Sequence, residues 1–286
     1  MSFMVVNRPS PEKRADYCPP SRPWQALSSP RGRGILLALL LGGLAAIGGL
    51  ARAEVPALAA EGVDHYTLAL TWHPGFCATR SRPPRECREP SLRRGAEDGF
   101  VLHGLWPSLP ARLRAQGVAR RRWWREGCFL ERPRPEGGFC RAHPPLALPE
   151  PQEHALDRAM PGRAGCLDRY QYAKHAACLG IAAEDLFATA LAMVAAINAS
   201  AFADFVGLHR GGEVRRNELI GAFEAAFGEG TGRALRLVCR GRGSRILTEV
   251  RIGIDAEALA RFPEAGSLVR QDRGRCAARV RVAAFD

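Results

Sequence analysis

Eight cysteines that follow an export-type leader set the tightest limit on what this chain can fold into. The nine cysteines stand at positions 18, 77, 87, 128, 140, 166, 178, 239 and 276. Arg31 and Arg33 precede an apolar run over 35–50, which ends in Ala51-Arg52-Ala53. A positive flank, a run short for a membrane span and small residues at the −3 and −1 positions spell a secretory signal cleaved before Glu54. An uncleaved anchor is the alternative. The Pro-rich, polar stretch before Arg31 is longer than such a signal needs and reads as an over-called start or a cytoplasmic tail. Removing Cys18 with the leader leaves an even set of eight cysteines bound for an oxidising compartment, so four disulfides are expected. Spacing alone leaves on the order of a hundred pairings open. No two of these cysteines have CxxC spacing, which argues against a zinc site.

Composition matters at one residue. The chain has 41 Lys+Arg, yet only Lys13 and Lys174 are lysines, and Lys13 lies in the leader. Lys174 precedes His175. A compact ammonium retained beside an imidazole, in a chain otherwise committed to arginine, points to chemistry. The stretch 167–178 has no Pro or Gly, and Asp168 sits where an acid favours a helix N-terminus. Helical spacing places Gln171, Lys174, His175 and Cys178 on one stripe, a poor core face and a good active-site face. A satisfied structural histidine is the plainer alternative.

A second segment, Phe100-Val101-Leu102-His103-Gly104-Leu105-Trp106-Pro107, reads as a buried strand that delivers His103 at its end, followed by a rigid turn. Two histidines so placed suit acid–base phosphoryl chemistry. The leader holds seven of the 41 Lys+Arg and two of the 29 Asp+Glu, which leaves the remainder at +7. Arg80, Arg82, Arg85, Arg88, Arg93 and Arg94 crowd one loop. Arg112, Arg114, Arg120, Arg121, Arg122 and Arg125 crowd the next segment, interleaved with Trp123 and Trp124. Such a pattern suits phosphate contact and base stacking, or a merely solvated arginine-rich face.

Strands are expected over 66–72 and 100–103, and a disulfide-clipped loop over 79–98. A Pro- and Gly-rich surface loop is expected over 131–151 and an apolar helix with first-turn acids over 184–198. Asn217 is the expected cap of a further helix that buries Leu219, Phe223 and Phe227. Alternation over 234–240 and 245–255, with 241–244 as the turn, predicts an antiparallel hairpin with Ile246, Thr248, Val250, Ile252 and Ile254 on one face. A last strand fits 277–285. The fold class is α+β: helices packed against a mostly antiparallel central sheet, stabilised by disulfides.

His-Gly-Leu-Trp-Pro at 103–107, followed by Tyr-x-Lys-His-x-x-Cys at 172–178, resembles the two active-site segments of the ribonuclease T2 family, and in particular its bacterial periplasmic branch. The likeness extends to 66–72 with Gly75-Phe76-Cys77, to Gly117-Val118 with Arg121-Arg122-Trp123, and to 166–170. It runs over essentially all of 66–276. With the leader reading, residues 1–53 are the expected signal peptide with an extended N-terminal region, and the resemblance implies 54–286 as one T2-like catalytic domain. It also implies pairs Cys77–Cys87, Cys128–Cys178 and Cys239–Cys276, leaving Cys140 with Cys166.

The resemblance further implies cleavage of single-stranded RNA with broad base specificity through a 2′,3′-cyclic phosphate. His175 would be the base, His103 the acid and Lys174 the charge stabiliser. Trp106, Tyr170 and Ser108 would meet the substrate. No metal or cofactor is expected, RNA is the expected partner, and a monomeric periplasmic or secreted protein without stable membrane association is implied. The chain departs from the family at Gln171, where most members carry Glu, at Ser108, where many carry Asp, and at Ala176 for Gly. Tyr170 stands where many carry His. An amide at 171 carries no charge and exchanges no proton, which keeps a weakened, RNA-binding or regulatory T2-fold protein as the alternative.

Overall fold

The computed structural model describes residues 58, 60–93, 95–97 and 99–285. The leader, its cleavage point and Cys18 lie outside the described residues.

In chain order the described elements begin with β1 (His65–Thr71), α1 (His73–Ala78), α2 (Arg85–Arg88) and β2 (Val101–Pro107). Then come α3 (Ala111–Ala115), α4 (Arg120–Glu126), α5 (Phe139–Ala142), α6 (Glu150–Ala159), α7 (Leu167–His175), α8 (Ala183–Asn198) and α9 (Ala201–Leu208). The chain closes with β3 (Glu213–Arg215), α10 (Arg216–Phe227), β4 (Leu235–Arg240), β5 (Ile246–Asp255) and β6 (Arg279–Arg281).

β5 is the spine of the sheet. It pairs antiparallel with β1, from His65↔Asp255 to Thr71↔Glu249, and with β4 from Leu235↔Ile252 to Arg240↔Ile246. β2 extends the sheet antiparallel beyond β1. β6 joins β5 through one parallel contact, Ile246↔Arg281, and pairs antiparallel with β3. The α+β class with a mostly antiparallel sheet is therefore the observed one. Tyr66, Leu68 and Leu70 of β1 are fully buried, as are Phe187 and Met193 of α8, Phe202 of α9 and Leu219 and Phe223 of α10. Each such side chain contributes roughly 1.5–3 kcal/mol by leaving water. A smaller cluster of Leu109, Leu113, Trp123 and Cys128 lies beside the C-terminal end of α7.

Several local expectations need correction. β2 does not turn after His103 but runs on through Trp106 and Pro107, because Gly104, Leu105 and Trp106 stay paired with β1. α7 stops at His175, so Cys178 leaves the stripe; its disulfide to Cys128 draws the chain away. Asn217 caps nothing. The chain enters α10 directly from β3, and the Arg215 backbone N–H donates to Glu218 Oε2 at 2.9 Å instead. The expected loop over 131–151 contains α5 and the first residues of α6. On β5 a register shift opposite Val238 and Cys239 puts Leu247, not Ile246, in the apolar core beside Val250, Ile252 and Ile254, while Thr248 is buried with its hydroxyl donating to the Val238 carbonyl. The last strand shrinks to β6.

Four disulfides join Cys77–Cys87, Cys128–Cys178, Cys140–Cys166 and Cys239–Cys276. Two of them grip α7, one at its N-cap residue Cys166 and one just past its end.

Candidate active site

His103 owes its direction to a bulge. Ala69 pairs with Gly104 and Leu70 with Leu102, so His103 is the extra residue of β2 and its side chain is re-aimed out of the regular pleat. Gly104 follows because α7 crosses close above. A Cβ there would lie 2.5 Å from Trp106 Nε1 and 2.7 Å from Gln171 Oε1. Those two atoms are hydrogen-bonded to each other, the indole donating to the amide oxygen at 2.7 Å. Glycine is what lets strand and helix approach.

Trp106 is the hub. His175 stacks on its ring at 5.3 Å and 22°, and His103 meets it edge-on at 5.1 Å. The Arg251 guanidinium lies over the same ring at 4.9 Å. With this company Trp106 is only 6% exposed. Little of the ring is left open, although the resemblance implied that Trp106 meets the substrate.

The two histidines have opposite surroundings. His175 is buried, and burial, followed by the charges of Lys174, His103 and Arg251, pushes its imidazole well below the ordinary range toward the neutral form. His103 presents Nδ1 to Glu249 Oε2 at 2.8 Å, which turns Nε2 to the open side, and its side chain is 30% exposed. Burial acts to raise the Glu249 carboxyl, but His103 and Arg251 outweigh it and hold the group below its ordinary value. Arg251 Nε donates to Glu249 Oε1. One carboxylate thus bridges an imidazole and a guanidinium.

Lys174 is half-buried, its ammonium 5.9 Å from the Tyr170 ring. Burial, then Arg134 and Arg251, lower it from its ordinary value. Gly127, at a φ of 56°, lets the neighbouring chain pass against the Lys174 carbonyl, where a Cβ would come within 2.1 Å. Tyr170 stacks on Phe139 at 4.1 Å and 10°, a partner delivered by the Cys140–Cys166 pair. Ser108 stands apart from the other site residues. Its hydroxyl accepts from the Asp64 and His65 backbone N–H groups at 3.0 and 3.2 Å, pinning the start of β1, and it takes no part in the cleft.

A cavity of about 880 Å³ opens from this centre. His103, Gln171, Tyr170, Phe139, Glu249 and Arg251 line it, together with His73, Phe76, Arg80, Arg82 and Arg240. Lys174 and His175 are not among the lining side chains. His73 lies within 4.8 Å of the sulfurs of Cys77 and Cys87, but those sulfurs are bonded to each other and supply no thiolate for a metal. Of the two arginine-rich segments, only the first reaches the cavity. In the second, Arg112 pairs with Glu131, Arg114 with Asp64, and Arg122 and Arg125 with Glu126. Trp123 there is buried and donates to the Pro107 carbonyl at 3.0 Å.

Glu249 and Arg251 escaped the sequence reading. Their signal was two charges at i and i+2 inside an otherwise apolar strand, where a buried face has no use for them.

No family model matches the chain. It is 36% identical over 225 residues to Ribonuclease I of Escherichia coli, covering 74% of this chain and 83% of that protein. A ribonuclease of Aeromonas hydrophila is 27% identical over 122 residues, covering 43% of this chain and 40% of that protein. Among solved structures, the self-incompatibility-associated SF11-RNase of Nicotiana alata shares the fold with a TM-score of 0.50 at 17% identity, over 78% of this chain and 98% of that one.

Proposed function

The chain belongs to the ribonuclease T2 family, and from that premise we propose that it is a metal-independent endoribonuclease acting on single-stranded RNA. The observation that carries this reading is the pair of imidazoles on one indole, one buried among cations and one bound to a carboxylate. A neutral His175 is suited to take the proton of the ribose 2′-hydroxyl. The freed oxygen attacks phosphorus, the P–O5′ bond breaks, and His103 gives a proton to the departing 5′-oxygen. The products are a 2′,3′-cyclic phosphate and a 5′-hydroxyl, and water returns the two imidazoles to their starting protonation. Lys174 adds positive potential, and the Gln171 amide N–H groups face the phosphate while the oxygen stays with Trp106. In free enzymes such catalytic contacts commonly tighten only when substrate binds.

Base preference is broad on this reading, because Trp106 and Ser108 are both occupied by the protein itself. Residues 1–53 act as the export signal, 54–286 as the catalytic domain, and the mature protein works as a monomer in the periplasm or outside the cell. The four disulfides support an oxidising location.

The test is digestion of a long RNA by purified mature protein in EDTA, with cyclic-phosphate ends assayed. His103→Ala and His175→Ala should each lower cleavage by about 10²–10⁴-fold. Dependence on added metal, or 5′-phosphate products, would defeat the proposal.

A further inference from the structure

Arg251 is a cation in the cleft with its reactive side unused. Its Nε is held by Glu249, yet among the described residues its two terminal nitrogens have no protein partner. Its side chain is 22% exposed, lines the cavity and shares the Trp106 ring with both histidines. A guanidinium fixed at Nε and open at its outer edge is arranged for paired hydrogen bonds to phosphate oxygens.

The surroundings are short of an anion. Arg236 stands directly opposite Arg251 across the β4–β5 ladder, and like charges so placed repel. Arg236 Nε is buried without a partner. The carboxylates near Arg236 are Glu249, already shared by two groups, and Asp272, 3.8 Å away and 87% exposed. Gln171 fits this picture. It lines the same cavity and bonds to the indole that Arg251 covers, and as an amide it adds no carboxylate there to compete for the guanidinium.

We propose, resting on the endoribonuclease reading, that Arg251 is a catalytic residue that binds a non-bridging oxygen of the scissile phosphate, and that the neutrality of Gln171 keeps it available. The charge that builds on those oxygens as the 2′-oxygen attacks is then met by a guanidinium already fixed beside the acid, His103. Lys174, which does not line the cavity, acts at longer range.

The experiment compares wild type, Arg251→Gln, Arg251→Lys, Gln171→Glu and the Gln171→Glu/Arg251→Gln double variant on RNA, with inorganic phosphate as competing probe. Arg251→Gln should lower kcat by about 10²-fold, the usual effect of losing one donor to a developing oxyanion. It should also weaken phosphate inhibition, and added guanidinium should restore part of the rate. Arg251→Lys should fall between the two. Gln171→Glu should slow the enzyme while Arg251 is present and do little once it is gone, because the two changes act through one ion pair. An unchanged kcat and phosphate inhibition in Arg251→Gln, or simple multiplication of the two single effects, overturns the assignment. If His103→Ala is dead while Arg251→Gln is fully active, only Arg251 loses its role. Wild type that fails to cleave RNA sinks the underlying reading instead. A variant that misfolds is recognised by circular dichroism and urea unfolding, and Arg251→Lys then decides; a folded Arg251→Gln that guanidinium does not rescue counts against the assignment.

Discussion

Glu249 is the residue through which acid and cation are joined. Its two oxygens divide between His103 Nδ1 and Arg251 Nε, and it is buried, so neither contact is screened by water. Exchanging it for Gln keeps the shape but allows an amide N–H to face Nδ1, which would favour the wrong imidazole tautomer. Glu249→Gln should therefore lower kcat by about 10²-fold or more with little change in KM. Glu249→Asp should recover part of the loss. Steady-state kinetics on a dinucleotide substrate decides, and a change confined to KM would remove Glu249 from its positioning role.

At the scale of elements, the site depends on how firmly α7 is held. Cys166 and Cys178 fasten it at either end, and the first of these also brings Phe139 onto Tyr170. Replacing Cys140 and Cys166 together by Ala should cost about 2–4 kcal/mol, as expected for opening a loop of this size. It should also raise KM more than it lowers kcat, since Phe139 lines the cavity while the histidines do not depend on it. Urea unfolding with parallel kinetics checks both; an unaltered KM would mean that the Phe139–Tyr170 stack has no part in binding. Much of this level was legible from residues alone. Periodicity located β1, α8 and α10, and the two motifs located His103, Gln171 and His175. What stayed hidden was set by long-range pairing: the bulge that re-aims His103, the register shift on β5, and the burial of Trp106. Glu249 and Arg251 stayed hidden because a strand pattern was read for its apolar face alone.

Across the whole molecule, burial of imidazoles gives the protein a definite pH dependence. His73 is only 3% exposed, and burial, partly offset by the Glu86 backbone and reinforced by Arg93, lowers it from 6.5 to about 4. His65, His143 and His175 are lowered as well, in each case first by burial. Such groups bind protons more readily in the unfolded chain, so stability is complete above the ordinary value of 6.5 and falls as pH drops below it. Each group adds at most about 1.4 kcal/mol per pH unit to that fall until its folded value is reached. Glu249, also lowered, extends the loss below 4.5, its ordinary value. Glu86 is raised by its burial and acts with the opposite sign just above that value, which softens the slope without reversing it. Urea unfolding free energy should thus decline steadily from pH 7 toward pH 4. His73→Gln, which retains a donor for the Glu86 carbonyl but cannot titrate, should flatten the curve between 6.5 and about 4 by close to one proton. A slope identical in the variant would show that His73 is protonated equally in the folded and unfolded chain.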